Sequence, residues 1–307
     1  MFLKSVWQLG SKSRLKQARR LFSKTRLRLV IVGVVVVCVL IAGGVALREI
    51  ALQSAEKNLM ILHKNGTQKP DDFGAAADTV WIQSGDRRLQ ASIVRAPSNC
   101  GDKVAVLLFH GRGETISDWA KAQAFLNQQC ISSMAFDYSG HGSSTPPAHI
   151  STLNADAVAA YADFVERFPA SERHCILGHS MGVAPMLNAY PLFRPAPVCT
   201  VLASGFSSLE DSARASGAPA AIALLLRGTW NNVRAISVVH GPLLLIHSDA
   251  DKVIAPGMAE RLEAAAPMTA IRVTVHGFDH NALYESPRLA WWAPVLTFLR
   301  EPDDPAH

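Results

Sequence analysis

The chain has 307 residues, of which 49% are apolar and 18% charged. That is enough to bury a sizeable core, and it excludes bulk disorder. The net charge of +5 belongs to the first 28 residues, which hold nine Lys/Arg and no acid; the rest carries 21 bases against 25 acids and offers no basic face for a nucleic acid.

The basic tail, residues 1–28, runs into nineteen uncharged residues, 29–47, bounded by Arg28 and Arg48. At ~1.5 Å per residue they span about 28 Å, close to the hydrocarbon thickness of a bilayer. The sequence therefore predicts a single transmembrane helix that acts as a signal anchor. The positive-inside rule puts the N-terminus in the cytoplasm and the remainder of the chain across the membrane, in a periplasmic, luminal or extracellular space. A cleaved signal peptide, cut at the small-x-small site Gly44-Val45-Ala46, is the alternative. The long basic region and long apolar core argue against it. A buried globular helix would seldom be apolar on every face beside nine bases. Cys38 does not fit a lipidation site, because Val37 precedes it where a small residue is needed.

Residues 48–75 read as a stem. The helix can continue over 48–62 before Asn65-Gly66, Lys69-Pro70 and Asp71-Asp72 break it. Asn65-Gly66-Thr67 is also a glycosylation sequon, usable only in a eukaryotic secretory route.

The body, residues 76–302, opens with two strand-like runs, 79–84 and 89–95, around Gly85-Asp86-Arg87-Arg88, which predicts a hairpin. Apolar β-rich runs follow at 104–109, 131–137, 175–178, 198–203, 243–247 and 271–275. Helical stretches at 116–129, 155–168, 181–192, 257–265 and 288–300 separate most of them. Short apolar strands alternating with helices predict an α/β fold with a mostly parallel sheet covered on both faces.

Candidate chemistry collects just after these strands, where open α/β sheets place their sites. Gly178-His179-Ser180-Met181-Gly182 follows the run Cys175-Ile176-Leu177 and opens a helical stretch. This is the strand–turn–helix context of a nucleophile elbow. A serine hydroxyl needs a base, and the base needs an orienting acid. His280 follows the last strand and Asp251 the one before it. Asp249 competes with Asp251 for the acid role, whereas His141, His179, His247 and His276 have no assigned role. Asp137 is expected to hold the adjacent Ser139-Gly140-His141-Gly142 loop. An oxyanion needs backbone N–H donors. Met181 after the serine and Arg112 in His110-Gly111-Arg112-Gly113 are the candidates.

Together these motifs resemble the α/β-hydrolase superfamily over residues 76–301. The resemblance rests on His110-Gly111-Arg112-Gly113, Asp137-Tyr138-Ser139-Gly140-His141-Gly142, Gly178-His179-Ser180-Met181-Gly182, Asp251-Lys252-Val253-Ile254 and His280-Asn281, all in family order. Within it the chain resembles membrane-anchored serine hydrolases: lysophospholipid lipases, depalmitoylases and proteins labelled serine aminopeptidases. Gly205-Phe206-Ser207-Ser208 and Trp230-Asn231-Asn232-Val233-Arg234-Ala235-Ile236 point to that branch. Ser248 departs from the glycine that relatives often carry three residues before the acid. The resemblance implies the α/β-hydrolase fold, a Ser180–His280–Asp251 triad, no cofactor and a short lid within 204–241, whose apolar residues 218–226 are expected to pack over the sheet.

The expected activity is hydrolysis of a carboxylic ester, with a small-molecule or lipid acyl substrate. The same-class alternative is a peptidase or amidase, for which Glu114 is the nearby candidate to hold a terminal amine. The alternative of another class is a catalytically silent, membrane-anchored binding protein. In the strand order that the resemblance implies, the one pairing that uses all four cysteines of the body is Cys100–Cys130 with Cys175–Cys199, against four reduced thiols.

Overall fold

Five strands of this chain are buried along nearly their whole length, and they form the middle of one sheet. The computed structural model describes residues 3–60, 66–101, 104–168 and 173–302. Its contacts divide the chain into two units, Met1–Leu52 and Gln53–His307.

The first unit is helical. Helix α1 (Leu3–Leu59) begins in it, and the stretch Arg28–Asn58 has a mean hydropathy of 3.1. Among the described residues this is the one helix long and apolar enough to cross a membrane. Apolar residues such as Leu29, Val35, Leu40 and Ile41 are exposed on every face of it, which in water would be costly. The helix continues through Arg48 and Glu49 and ends at Leu59. The sequon residue Asn65 and the side chains of most of the basic tail lie outside the described residues.

In the second unit the stem does not hang free at its C-terminal end. A 3₁₀ turn, Pro70–Phe73, leads to Ala75, which packs with Val94 and Ala124. Ser117 Oγ also donates to the Gln68 carbonyl.

The sheet has eight strands: β1 (Ala77–Ser84), β2 (Arg87–Val94), β3 (Val104–Phe109), β4 (Ile131–Phe136), β5 (Arg173–His179), β6 (Cys199–Ala203), β7 (Leu243–Ser248) and β8 (Ala270–Val275), in the order β1-β2-β4-β3-β5-β6-β7-β8. β1 and β2 are antiparallel, as are β2 and β4; every other pair is parallel. The hairpin turn is two residues shorter than the sequence suggests. Ser84 pairs with Arg87, and Gly85 supplies the positive φ of 61° that so tight a turn demands.

The connecting helices are α2 (Ala120–Gln128), α3 (Ile150–Arg167), α4 (Val183–Ala189), α5 (Leu209–Ala215), α6 (Ala220–Leu225), α7 (Asn232–Ala235), α8 (Pro256–Ala265), α9 (Ala282–Glu285) and α10 (Leu289–Arg300). The helix predicted from 116 starts only at Ala120. The preceding residues are drawn into a turn, with Thr115 N bonded to Asp118 and Ile116 N to Asp137. On one face of the sheet, Trp119, Leu126, Trp291, Trp292, Val295 and Phe298 pack with side chains of β3, β5, β6 and β7. The segment over 204–241 folds into α5, α6 and α7. Its apolar stretch buries Ala223 and Leu226 but exposes Ile222 and Leu224, so only part of it packs inward as predicted.

The chain builds β4 on one side of β3 and then crosses to place β5 on the other. That reversal opens a crevice at the C-terminal ends of β3 and β5, the usual ligand position in such sheets. Phe109 is paired with Gly178 there, so the loops that follow the two strands begin level.

Both proposed cystines are formed, at the opposite ends of the strands. The Cα atoms of Cys100 and Cys130 are 5.6 Å apart and those of Cys175 and Cys199 are 4.7 Å apart. Cys38, in α1, is free.

Candidate active site

Strand β5 ends at His179, a 3₁₀ turn covers Ser180–Gly182, and α4 follows at once. The reversal forces Ser180 to φ 51°, in the left-handed region that side chains other than glycine avoid. Glycine is needed at 182 because a Cβ there would lie 2.1 Å from the Phe109 carbonyl oxygen and 2.6 Å from that of His110. At 178 a Cβ would crowd Val183 at 3.0 Å. The elbow therefore sits directly against the loop after β3, which carries Arg112; Met181 follows the serine in the same turn.

Three sequence-predicted residues come together on separate strand ends. Ser180 Oγ lies 2.9 Å from His280 Nε2, and His280 Nδ1 lies 2.7 Å from Asp251 Oδ2. The other Asp251 oxygen accepts from Val253 N at 2.8 Å and Ile254 N at 2.9 Å. Burial alone would raise the Asp251 carboxyl, but the hydrogen bond and charge of His280, with those two amides, hold it at about 2. An ionised Asp251 accepts a hydrogen bond from His280 Nδ1–H and so keeps that proton on Nδ1. Nε2 is then left as the acceptor for the serine hydroxyl.

Asp249 is elsewhere. It is exposed and bonds His276 Nδ1 at 2.8 Å and Gly277 N at 2.9 Å. Ser248, where the family resemblance leads to the expectation of glycine, uses its side chain. Its hydroxyl donates to the Phe278 carbonyl at 2.6 Å and accepts from Ala250 N and Phe278 N, joining the aspartate loop to the histidine loop.

Two expectations are corrected. Asp137 does not hold the 139–142 loop through its carboxylate, which instead accepts from Ile116 N at 2.7 Å; Asp156 bonds Ser139 N at 2.8 Å. Asp156 is committed there because its carboxylate also meets Ser84 and Arg87, both on the hairpin. Glu114 is not available for a substrate amine. It is buried, and its oxygens accept from Gly111 N at 2.7 Å, Trp119 Nε1 at 2.8 Å and His179 Nδ1 at 3.1 Å.

Sequence reasoning missed two contacts of the histidines. His179 Nε2 lies 3.1 Å from the His280 carbonyl. His247 Nε2 bonds the Ile254 carbonyl at 2.9 Å and lies 3.4 Å from Asp251 Oδ2. The available signal was a polar residue at the end of an otherwise apolar strand, on β5 and on β7. His141 faces the Ser139 carbonyl at 3.3 Å and packs against His110 and Tyr138.

An open cavity of about 500 Å³ adjoins His280 and is rimmed by Lys252, Val253, Asp279, Asn281 and Glu285. A larger hollow of about 750 Å³ lies away from the three residues. Its walls include Arg214 and Arg227, paired with Glu210, and Arg261, paired with Asp211. The hydrogen-bonded serine, not the size of a hollow, locates the site. Among the described residues no cluster of His, Cys, Asp or Glu is arranged to hold a metal.

A family profile described as "Serine aminopeptidase, S33" matches residues 102–234. An uncharacterized protein of Mycobacterium tuberculosis is 30% identical over 182 residues, which is 59% of this chain and 64% of that protein. The chain thus spans somewhat less than two thirds of that relative. The alpha/beta hydrolase domain-containing protein 17B of Xenopus tropicalis is 25% identical over 201 residues, 64% of this chain and 67% of the relative. An esterase of Pyrococcus furiosus superimposes with a TM-score of 0.63 at 17% identity, covering 80% of this chain and 99% of the esterase. A proline iminopeptidase of Mycobacterium smegmatis gives 0.60 at 16% identity, covering 75% and 100%. With its eight-stranded sheet and a serine elbow after β5, the chain has the α/β-hydrolase fold, and over residues 102–234 it is similar to the serine aminopeptidase family.

Proposed function

We propose that this chain is a serine hydrolase that cleaves carboxylic esters through an acyl-enzyme. The observation that carries the reading is the run of hydrogen bonds from Ser180 through His280 to Asp251 on an elbow with φ 51° at the serine. Ser180 Oγ attacks the acyl carbon while His280 Nε2 takes its proton. The tetrahedral oxyanion is held by the N–H groups of Met181 and Arg112. The commitment of Gly111 N to Glu114 leaves Arg112 as the donor from its loop. His280 then protonates the departing alcohol, and water attacks the acyl-enzyme with His280 again as base.

An ester is favoured over a peptide because Glu114, the residue nearest the site that could hold a terminal amine, is buried and fully bonded. No residue role in this cycle calls for a cofactor. The apolar, outward-facing stretch of α1 supports a membrane anchor. The charge of the tail supports a cytoplasmic N-terminus with the catalytic body on the other side, an oxidising space in which two cystines persist. A lipid or lysolipid acyl ester follows as the substrate class.

Fluorophosphonate labelling of wild type and Ser180→Ala, with turnover on short esters, lysolipids and aminoacyl amides, tests the reading. Labelling and ester turnover that vanish together in Ser180→Ala are expected. Turnover of amides alone would make it an amidase, and wild type inert to probe and substrates would make it a binding protein.

A further inference from the structure

The polar groups around the triad include one buried pair that the proposed cycle does not use, Glu114 and His179. Each makes more contacts than packing requires. Glu114 Oε2 accepts from Gly111 N at 2.7 Å and from Trp119 Nε1 at 2.8 Å, while Oε1 faces His179 Nδ1 at 3.1 Å. The other nitrogen of His179 lies 3.1 Å from the backbone carbonyl of His280. A carbonyl oxygen only accepts, so His179 Nε2 carries a proton. The second proton lies between Nδ1 and the Glu114 carboxylate. Burial would depress the His179 imidazole, but the charge and hydrogen bond of Glu114, aided by the His280 carbonyl, leave it raised. Burial likewise would raise Glu114, and His179 leaves it lowered. The two shifts agree on an ion pair, imidazolium against carboxylate.

This pair touches all three loops that must meet. Through Gly111 it grips the loop carrying Arg112, through His179 it is covalently next to Ser180, and through the His280 carbonyl it grips the histidine loop. Trp119 and Tyr284 brace it: their rings stack at 5.4 Å, and Tyr284 also contacts the His179 ring edge-on at 5.5 Å. Tyr284 lies in α9, four residues after His280.

We propose that Glu114 and His179 are positioning residues that act as one unit, setting the distance between the His280 imidazole and Ser180 and the placement of the oxyanion loop. The inference rests on the triad reading above. Neither residue hydrogen-bonds the reacting atoms, although the His179 ring lies 4.9 Å from that of His280. Each acts through backbone that the triad and the oxyanion donors share. A buried ion pair is a poor source of stability, because desolvation offsets much of its attraction, but it fixes geometry where partners are specific. Positional error at a site of this kind is expensive in rate: about 1 Å can cost roughly a hundredfold.

The test uses the full chain in detergent, with a p-nitrophenyl ester as substrate and fluorophosphonate titration to count competent sites. Glu114→Gln keeps the shape and removes the charge. His179→Gln keeps a donor near the Nε2 position, whereas His179→Ala removes both contacts. Per competent site, Glu114→Gln is expected to lower kcat by roughly 10- to 100-fold with KM within about twofold, and to slow fluorophosphonate inactivation in parallel. His179→Gln should retain more kcat than His179→Ala. The double variant Glu114→Gln/His179→Gln should lose no more than the worse single change, as expected of coupled partners. A merely structural role would lower the number of competent sites and the melting temperature while leaving kcat per site at the wild-type value; that result overturns the proposal. Additive losses overturn the claim that the two are one unit. Ser180→Ala separates the layers of the argument. Turnover surviving in Ser180→Ala sinks the triad reading, whereas a dead Ser180→Ala beside a fully active Glu114→Gln sinks this inference alone.

Discussion

The two ends of the strands are built by different means. At the C-terminal ends, Ser180, Asp251 and His280 meet through hydrogen bonds, with a backbone forced to positive φ at the serine. At the N-terminal ends, Cys100–Cys130 and Cys175–Cys199 tie neighbouring strands covalently, and the left-handed residue there, Cys130 at φ 62°, is held in a cystine. The apolar, fully buried residues of β3 to β7 separate the two ends. The division implies that chemistry and stability are mutated separately: damage at one end should stop turnover in a folded protein, and damage at the other should weaken a protein that still turns over.

The largest effect belongs to the serine. Ser180→Ala should lower kcat by about 10⁵-fold or more while the far-ultraviolet spectrum and the cystines survive. Next comes the acid. Asp251→Asn leaves the hydrogen-bond geometry but favours the wrong tautomer of His280, and kcat should fall about 10⁴-fold. Asp249→Asn, at the surface with His276, should change kcat by no more than about twofold. Comparable losses in the two variants would erase the distinction that the structure draws between them.

The opposite end should respond in the opposite way. Replacing both Cys100 and Cys130 by alanine opens a link with a sequence separation of 30 and should lower unfolding free energy by roughly 3–4 kcal/mol. Denaturant titration measures that loss, and kcat/KM per competent site should not move. A change in kcat/KM would mean that the two ends are coupled through the strands.

The smallest effect sits at the C-terminal end and depends on pH. Burial lifts Asp137 from 3.8 to about 7, so the folded chain keeps it protonated where the unfolded chain ionises it. Its contribution to stability is full below about pH 4 and is lost as pH rises toward 7. Asp137→Asn, which keeps an acceptor for Ile116 N, should therefore raise the melting temperature a few degrees at pH 8 and leave it unchanged at pH 4. Equal effects at both values would place the charge of Asp137 elsewhere in the balance.

Much of this architecture is legible in the sequence because strands buried on both faces read as short apolar runs, and β3 to β7 are such runs. The order of motifs also brings Ser180, Asp251 and His280 to strand ends on one edge, where the structure places them within hydrogen-bond distance. Helices α5, α6, α7 and α9 were not separately legible; at four to seven residues they are too short for a helical period to emerge. Glu114 was misread for another reason. In sequence it is an acid in a polar loop, and only folding shows that Gly111, Trp119 and His179 surround it. Asp156 fills the role expected of Asp137 because the loop after β4 meets α3 and the β1–β2 hairpin, contacts between distant segments that no local pattern encodes.

The positive φ of Ser180 also bears on how this protein could be improved. A left-handed residue with a side chain carries a conformational cost of about 1–3 kcal/mol that glycine does not incur. Ser180→Gly is thus a replacement that relaxes the turn and removes the proposed nucleophile in one step. A laboratory selection for heat resistance alone would be drawn toward that codon and would enrich inert molecules. Any such selection has to score turnover in every round, because at this position thermal endurance and activity pull in opposite directions.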